Sequence, residues 1–146
     1  LLPLSASIQF GGIAGTSGDG KVGFVALEDV AEATARVVAG GGFVCESVTL
    51  TGPEAVDMAQ VAQAFTEVLG KPISYTDMTE DDFAKMVIEF GAFPDREACE
   101  IGVLCHYRAW RRGDADVVAD GFTQVTGRAP RSVKTWIAEN KAHFES

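Results

Sequence analysis

The cluster whose residue types most suggest catalysis is His106 with its neighbours Cys105 and Tyr107. Because the pKa of histidine is close to neutrality, an imidazole can act as a general acid towards a quinone or carbonyl oxygen. A helix through this segment would bring Glu100 or Asp95 within reach of the ring. His106 is therefore the candidate catalytic residue, and an ordinary helix histidine is the alternative.

The same helix offers an incomplete set of metal ligands. Cys99 and His106 are seven residues apart and are predicted to share a face, but two ligands do not make a zinc site. The second histidine, His143, lies near the end of the sequence and is predicted to be solvated. We therefore predict no metal.

Aromatic side chains are the second group that could serve a substrate. Ligand pockets are mostly apolar with a few polar groups, so aromatic residues could line a cavity for an aromatic substrate, although several of them could equally pack in the core. Tyr75 and Tyr107 could each donate a hydrogen bond to a substrate carbonyl. The pocket candidates are Phe83, Phe90, Tyr107 and Trp110, with Phe93 and Phe122 as further members of the aromatic set.

A glycine pattern near the start resembles a dinucleotide fingerprint. Gly12, Gly15 and Gly18 have the spacing GxxGxxG. Such glycines serve a phosphate when the last one opens a helix whose amides and dipole face the pyrophosphate. Here Asp19 and an apolar, strand-like segment follow instead. We therefore interpret the pattern as a decoy and expect no cofactor-binding residue in this chain.

Composition narrows the class of protein. The 146 residues carry a formal net charge of -9 and 47% hydrophobic residues. An acidic chain of this kind lacks the lysines and arginines that nucleic-acid binding needs. Three cysteines without CxxC spacing indicate a reducing compartment, and no apolar run is long enough to cross a bilayer. We expect a cytoplasmic protein that binds neither nucleic acid nor membrane.

Local patterns predict a mixture of short strands and helices. The Asp57/Gln60 and Thr79/Asp82 pairs resemble capping boxes, and Ser132 is predicted to cap the last helix. The three adjacent glycines at residues 40–42 are predicted to stop the first helix. Strands are predicted at residues 7–10, 21–26, 47–50 and 73–76, a loop at 11–20, and helices from Glu28, from Asp57, from Thr79, over residues 95–112, over 118–125 and from Ser132.

Four segments, taken in order, carry a family resemblance. The first reads as a strand leading into a helix, the second as a turn, the third as the end of a helix and the fourth as a C-terminal Thr-Gly-Arg-x-Pro segment followed by Trp136. They are GKVGFVALEDVAEA at residues 20–33, TLTGPEA at 49–55, VLGKPI at 68–73 and TGRAPRS at 126–132. Their order resembles the C-terminal half of NmrA-like proteins, which are atypical short-chain dehydrogenases.

The resemblance implies an α/β fold with an α+β appearance in isolation, in which a few short strands of a Rossmann-like NmrA-type fold are packed by about five or six helices. It implies one lobe over residues 1–146 and NADP or NAD between two lobes of an intact parent. The superfamily's Tyr-x-x-x-Lys pair is absent at Tyr75 and Tyr107. The chain opens without Met, and no strand, glycine loop and helix stand near its start, so we expect the nucleotide-binding portion to be absent and the chain alone to be inactive.

Function follows from the same resemblance. The first hypothesis is the substrate-binding lobe of an NAD(P)H-dependent, quinone reductase-like oxidoreductase that takes a small apolar or aromatic substrate such as a quinone. The alternatives are a non-enzymatic NAD(P)-sensing regulator and a free-standing protein-interaction module. We also expect an uncovered sheet edge and apolar surface, and hence association with a missing N-terminal half or with a second copy.

Overall fold

A computed structural model describes residues 5–40 and 47–145. Helices surround a small two-stranded sheet. The strands are β1 (Gly12–Gly15) and β2 (Ser74–Asp77). The helices are α1 (Ser5–Gln9), α2 (Leu27–Val38), α3 (Met58–Leu69), α4 (Glu80–Glu89), α5 (Arg96–Cys99), α6 (Cys105–Arg111), α7 (Gly121–Thr126) and α8 (Val133–Glu139). A π-helical turn, Glu100–Leu104, joins α5 to α6, and a 3-10 turn, Lys141–His143, follows α8. The predicted mixture of helices with a few short strands is confirmed.

The two strands are parallel. Gly12 lies opposite Ser74 and Gly15 lies opposite Asp77. Parallel strands need a crossover connection, and here α2 and α3 belong to it. The carboxyl ends of both strands therefore lie at the same edge of the sheet.

Two hydrophobic clusters hold these elements. The larger one packs α3, α8 and both strands around Phe65, Ile13 and Ile137, which are at most 1% exposed. The smaller one joins α4 to the helix that runs from α5 to α6. The second cluster lies against the strand ends through Ala14 and Met78.

Capping predictions for the helices agree with the structure. Asp57 and Gln60 form a reciprocal capping box, with Asp57 Oδ1 accepting from Gln60 N at 2.8 Å and Gln60 Oε1 accepting from Asp57 N at 3.0 Å. Thr79 and Ser132 also cap α4 and α8 through their hydroxyl oxygens. Gly40 follows the last turn of α2 with a φ of 98°, whereas the other two glycines of residues 40–42 lie outside the described residues.

Two predictions at the start of the chain are wrong. Residues 7–10 alternate in polarity, but they belong to α1 and the turn after it, with Ile8 buried and Phe10 91% exposed. Four residues are too few to separate the two periodicities. The glycine-rich stretch at 11–20 was predicted as loop, yet it contains β1, because Ile13 is buried and the backbone pairs with β2.

The predicted strand at residues 73–76 corresponds to β2, whereas the predicted strands at 21–26 and 47–50 differ from the structure. In residues 21–26 the only ladder contact is one antiparallel bridge between Val22 and Val56. Gly23 bonds to the Ala115 carbonyl instead, because its backbone lies against a loop, where an added Cβ would be 2.2 Å from Val117 O. Residues 47–50 have no described strand beside them and form no ladder.

The predicted long helix over residues 95–112 is present, with the π-helical turn in its middle. Extra residues in a π turn rotate the following side chains around the helix axis. Leu104 and Tyr107 are buried, whereas Ile101 is 70% exposed and Cys105 is exposed. Within the described ranges no helix is long and apolar enough to cross a membrane.

Candidate functional site

The candidate site lies at the carboxyl ends of β1 and β2. Open parallel sheets bind ligands at this edge because loops and helix ends converge there. Thr16, Ser17 and Gly18 leave β1, while Asp77 is the last residue of β2. Helix α6 lies beside this loop, since an added Cβ at Gly20 would be 2.4 Å from Trp110 O.

Hydrogen bonds fix the loop after β1. The Tyr75 hydroxyl accepts from Ser17 N at 3.0 Å and donates to Asp77 Oδ1 at 3.1 Å, while Ser17 Oγ lies 3.0 Å from the same hydroxyl. Gly18 N donates to Asp77 Oδ1 at 2.8 Å, and Arg111 Nη2 lies 3.1 Å from Asp77 Oδ2. The Arg111 guanidinium therefore balances the Asp77 carboxylate, and the loop is tied both to β2 and to α6.

Tyr75 is a structural part of this network. Burial raises the pKa of its hydroxyl, and the nearby Asp77 carboxylate raises it further, against the hydrogen bonds from Ser17, which lower it. The phenol therefore stays neutral at physiological pH. The hydroxyl has one proton and donates it in a hydrogen bond to a neighbouring side chain, so Tyr75 has no free proton for a substrate carbonyl.

Three aromatic side chains next to this loop, Phe83, Tyr107 and Trp110, form a packed group that we call the aromatic wall. Tyr107 packs edge-to-face against Phe83 and Trp110, with ring centroids 5.4 and 5.1 Å apart. Trp110 in turn contacts Phe24 with centroids 5.8 Å apart. Such pairs contribute about 0.5–1.5 kcal/mol each beyond their buried area. Three of the four predicted pocket residues, Phe83, Tyr107 and Trp110, are therefore brought together.

The Tyr107 hydroxyl reaches the end of β1. An added Cβ at Gly15 would lie 3.1 Å from this oxygen and 3.2 Å from a ring carbon of Tyr75. A side chain at this position would therefore require the two rings to move by a few tenths of an ångström. Burial raises the pKa of Tyr107 to about 12, and the Tyr75 and Cys99 groups contribute in the same direction.

Two hydroxyls at this edge lack partners among the described residues. Thr16 Oγ1 is enclosed and unpaired. The hydroxyl of Tyr107, itself 7% exposed, makes no hydrogen bond with any residue in the described ranges. Unpaired polar groups are rare in native interiors, so their clustering here favours a binding role.

An ion-pair cluster positions the wall. Arg108 Nε donates to Glu80 Oε1 at 2.8 Å, and Arg108 Nη2 donates to Glu100 Oε2 at 3.1 Å. The hydrogen bond from Arg108 lowers the pKa of Glu80, more than partial burial raises it. Glu80 opens the helix that carries Phe83, so this cluster joins α4 to the helix that carries Tyr107.

His106 is not part of the site. Its side chain is exposed, whereas Cys99 is fully buried, so the prediction that the two share a helix face is wrong. The π-helical turn between them changes the phase. Glu100 pairs with Arg108, and Asp95 caps Ala98 N at 2.9 Å instead of contacting the imidazole.

The remaining predicted positions lie elsewhere. Phe90 is 84% exposed just after α4, so it does not line the aromatic wall. Phe93 packs against the smaller cluster. Phe122 is buried beneath Arg128, whose guanidinium carbon lies 4.7 Å from the ring centroid. His143 is exposed, as predicted, and Cys45 lies outside the described residues.

The glycine segment does not fit a pyrophosphate. Gly12 and Gly15 lie inside β1, and no helix follows Gly18 until Leu27. The amides of Ser17 and Gly18, which a phosphate would need, already donate to Tyr75 and Asp77. Among the described residues, no group of three metal-binding side chains is present either.

Sequence reasoning missed Thr16, Ser17, Asp77 and Arg111. Asp77 had an available signal, since it is an acidic residue at the end of a predicted strand and just before a predicted helix. The others are recognisable only once β1 is placed beside β2, because their partners are distant in the sequence.

Comparison with known proteins shows which proteins this chain resembles. No protein-family model matches the sequence. The oxidoreductase YesF of Bacillus subtilis is 30% identical over 141 residues, 96% of this chain and 48% of that protein. Festuclavine synthase II of Penicillium roqueforti is 29% identical over 87% of this chain and 43% of its own length, and quinone oxidoreductase 2 of Escherichia coli is 33% identical over 62% of this chain and 31% of its own length.

Solved structures point to the same relatives as the sequence comparison. The Escherichia coli NADPH-dependent quinone oxidoreductase in complex with NADPH superposes with a TM-score of 0.82 at 25% identity, over 99% of this chain and 49% of that one. The resemblance to the C-terminal half of NmrA-like proteins is confirmed. Triphenylmethane reductase of Citrobacter shares the NmrA-like fold with a TM-score of 0.83 at 21% identity, covering 99% of this chain and 48% of its own. The chain spans about half the length of these NmrA-like relatives, which include NAD(P)H-dependent oxidoreductases.

Proposed function

We propose that this chain is the substrate-binding lobe of an NAD(P)H-dependent oxidoreductase, that all 146 residues form this one lobe, and that it binds a small aromatic acceptor such as a quinone. The observation that carries the proposal is the position of Tyr107 and Trp110, whose aromatic wall lies at the carboxyl ends of two parallel strands. A relative, quinone oxidoreductase 2, is named for such an acceptor.

The wall suits a flat, apolar ligand. Tyr107 and Trp110 have an interplanar angle of 86°, so a ligand that contacts the face of one meets the edge of the other. Aromatic rings favour both arrangements because of their charge distribution. The ion pair between Arg111 and Asp77 compensates both of these charges, which suits an uncharged acceptor.

The dinucleotide belongs to another part of the protein in this proposal. The amides after β1 are already hydrogen-bonded, so this chain offers no phosphate cradle there. Its residues bind and orient the acceptor. In an intact parent, NADP or NAD would supply the reducing equivalents.

A second candidate is a non-enzymatic, dinucleotide-sensing regulator, or a free-standing interaction module, that offers its surface to a partner. Several large apolar side chains lie on the outside, which is compatible with contact to a missing N-terminal half or to a second copy. The most exposed are Phe10, Leu27, Val38, Phe90 and Ile101, each at least 70% exposed. The quinone-binding experiment below separates this candidate from the first.

Binding of duroquinone tests the proposed function. This fully substituted quinone cannot add to the exposed Cys105 thiol. In a Trp136→Phe variant, Trp110 is the remaining tryptophan and lies in the site. We expect duroquinone to quench its fluorescence saturably, because bound quinone would contact the ring.

The matched control is Trp110→Phe, which keeps only Trp136, at α8. We expect this variant to show the linear dependence of random collisions. The proposed function would be contradicted by linear quenching in both variants.

A further inference from the structure

We infer that the Tyr107 hydroxyl is the hydrogen-bond donor that holds the carbonyl oxygen of the bound acceptor. The inference rests on the proposed function and deepens it, because it assigns the polar contact that distinguishes a quinone from an apolar aromatic ring. It draws on the packing of Tyr107, on the hydrogen bonds of its neighbours and on the close approach of its hydroxyl to Gly15 at the end of β1.

The Tyr107 ring is held firmly. Phe83 and Trp110 contact it edge-to-face at interplanar angles of 86° each. The hydroxyl can therefore not swing away from the end of β1. A fixed donor loses little conformational freedom when a ligand binds, which is the general advantage of preorganisation.

The Tyr107 hydroxyl takes no part in the hydrogen bonds of the described residues. It makes no hydrogen bond with the described residues, although it lies next to a network in which Tyr75 bonds to both Ser17 and Asp77. A phenol can donate one proton and accept further hydrogen bonds. Leaving a nearly buried group of this kind without a partner costs free energy, so a ligand oxygen would relieve a cost that the free protein carries.

The Tyr107 hydroxyl is also not fully enclosed. Thr16 Oγ1 is the fully enclosed, unpaired side-chain oxygen in the described part of the chain, and Tyr107 retains 7% exposure. Gly15 brings no side chain over the oxygen, where a Cβ would be 3.1 Å away. A small ligand at the strand ends therefore has access to it.

The chemistry selects a neutral oxygen acceptor. Burial raises the pKa of Tyr107 to about 12, so the group keeps its proton throughout the physiological range. It acts as a donor and not as a phenolate. A quinone carbonyl is an uncharged acceptor that matches this donor and the aromatic wall beneath it.

Equilibrium dialysis of duroquinone and of durene, its carbonyl-free analogue, tests the assignment with wild type and Tyr107→Phe. Loss of one neutral hydrogen bond should weaken duroquinone binding about three- to tenfold. Durene should bind both proteins equally, because it has no oxygen. A purely structural role for Tyr107 would change both ligands alike.

Thermal unfolding provides the folding control. Tyr107→Phe removes an unpaired hydroxyl and should not lower the unfolding midpoint, whereas Tyr75→Phe removes a bonded one and should lower it. Equal duroquinone affinity in wild type and Tyr107→Phe would overturn the inference alone. If wild type bound neither ligand, both the proposed function and the inference would be contradicted.

Discussion

Replacement of Asp29 by alanine is expected to lower the free energy of unfolding by about 3 kcal/mol or more. The Asp29 carboxylate is fully buried in α2 and accepts from Arg131 N at 2.7 Å and from Arg128 Nη2 at 2.8 Å, with Arg131 Nη1 as a third donor. These bonds join α2 to the segment between α7 and α8. Removing the carboxylate takes this acceptor away from Arg131 N and Arg131 Nη1, whereas Arg128 Nη2 keeps its bond to Glu32.

Urea denaturation of wild type and Asp29→Ala measures the effect. The matched control is Asp81→Ala, because Asp81 also pairs with an arginine, Arg96, at 2.9 Å but is 80% exposed. An exposed pair is worth about 0–1 kcal/mol. Equal losses in the two variants would contradict the role assigned to Asp29.

The contribution of Asp29 to the free energy of unfolding should also depend on pH. Burial alone would raise the pKa of Asp29, but hydrogen bonds from the Arg131 backbone and the Arg128 side chain, with the charges of both arginines, outweigh it and lower the pKa below its ordinary value of 3.8. A lowered folded-state pKa stabilises the protein above the unfolded-state pKa. The stability difference between wild type and Asp29→Asn should be constant above about pH 5 and shrink as pH falls below 3.8 towards the folded-state pKa.

Replacement of Gly20 by alanine is expected to cost about 2–3 kcal/mol of unfolding free energy. An added Cβ would lie 2.4 Å from Trp110 O, 2.5 Å from the Trp110 carbonyl carbon and 2.8 Å from Arg111 N. These are backbone atoms of α6, which cannot rotate away as a side chain would. The loop after β1 would have to separate from α6.

Gly12→Ala is the control for this substitution. The nearest atom to a Cβ at Gly12 is Ser74 O at 3.6 Å, an ordinary contact, so we expect little change in stability. The loss in Gly20→Ala should be accompanied by weaker duroquinone binding, because Trp110 and Arg111 would shift. A Gly20→Ala protein as stable as Gly12→Ala would contradict the close approach.

Local chemistry made the helix ends predictable. The Asp57 and Gln60 side chains bond to each other's backbone within one turn, and Gly70 ends α3 with a φ of 69°. Ser132 likewise caps α8 through Thr135 N. Such features depend on neighbours a few residues away, so the order of residues is enough to find them.

Non-local contacts explain what the sequence did not predict. Strand β1 exists because Ile13 is buried and the backbone pairs with β2, which a glycine-rich composition does not reveal. The phase of the helix that carries His106 depends on a π-helical turn. Phe83, Tyr107 and Trp110 were nevertheless identifiable as aromatic candidates, whereas the Ser17 and Asp77 contacts to Tyr75 required the sheet.

The most direct test of the central claim, that this chain holds the acceptor and leaves the dinucleotide to another part of the protein, is a calorimetric titration of the chain with NADPH. Because the amides of Ser17 and Gly18 are already bonded, the account predicts no saturable binding up to millimolar NADPH. Micromolar binding would contradict it, since the glycine segment would then be a phosphate site and this chain a self-sufficient dinucleotide-binding domain.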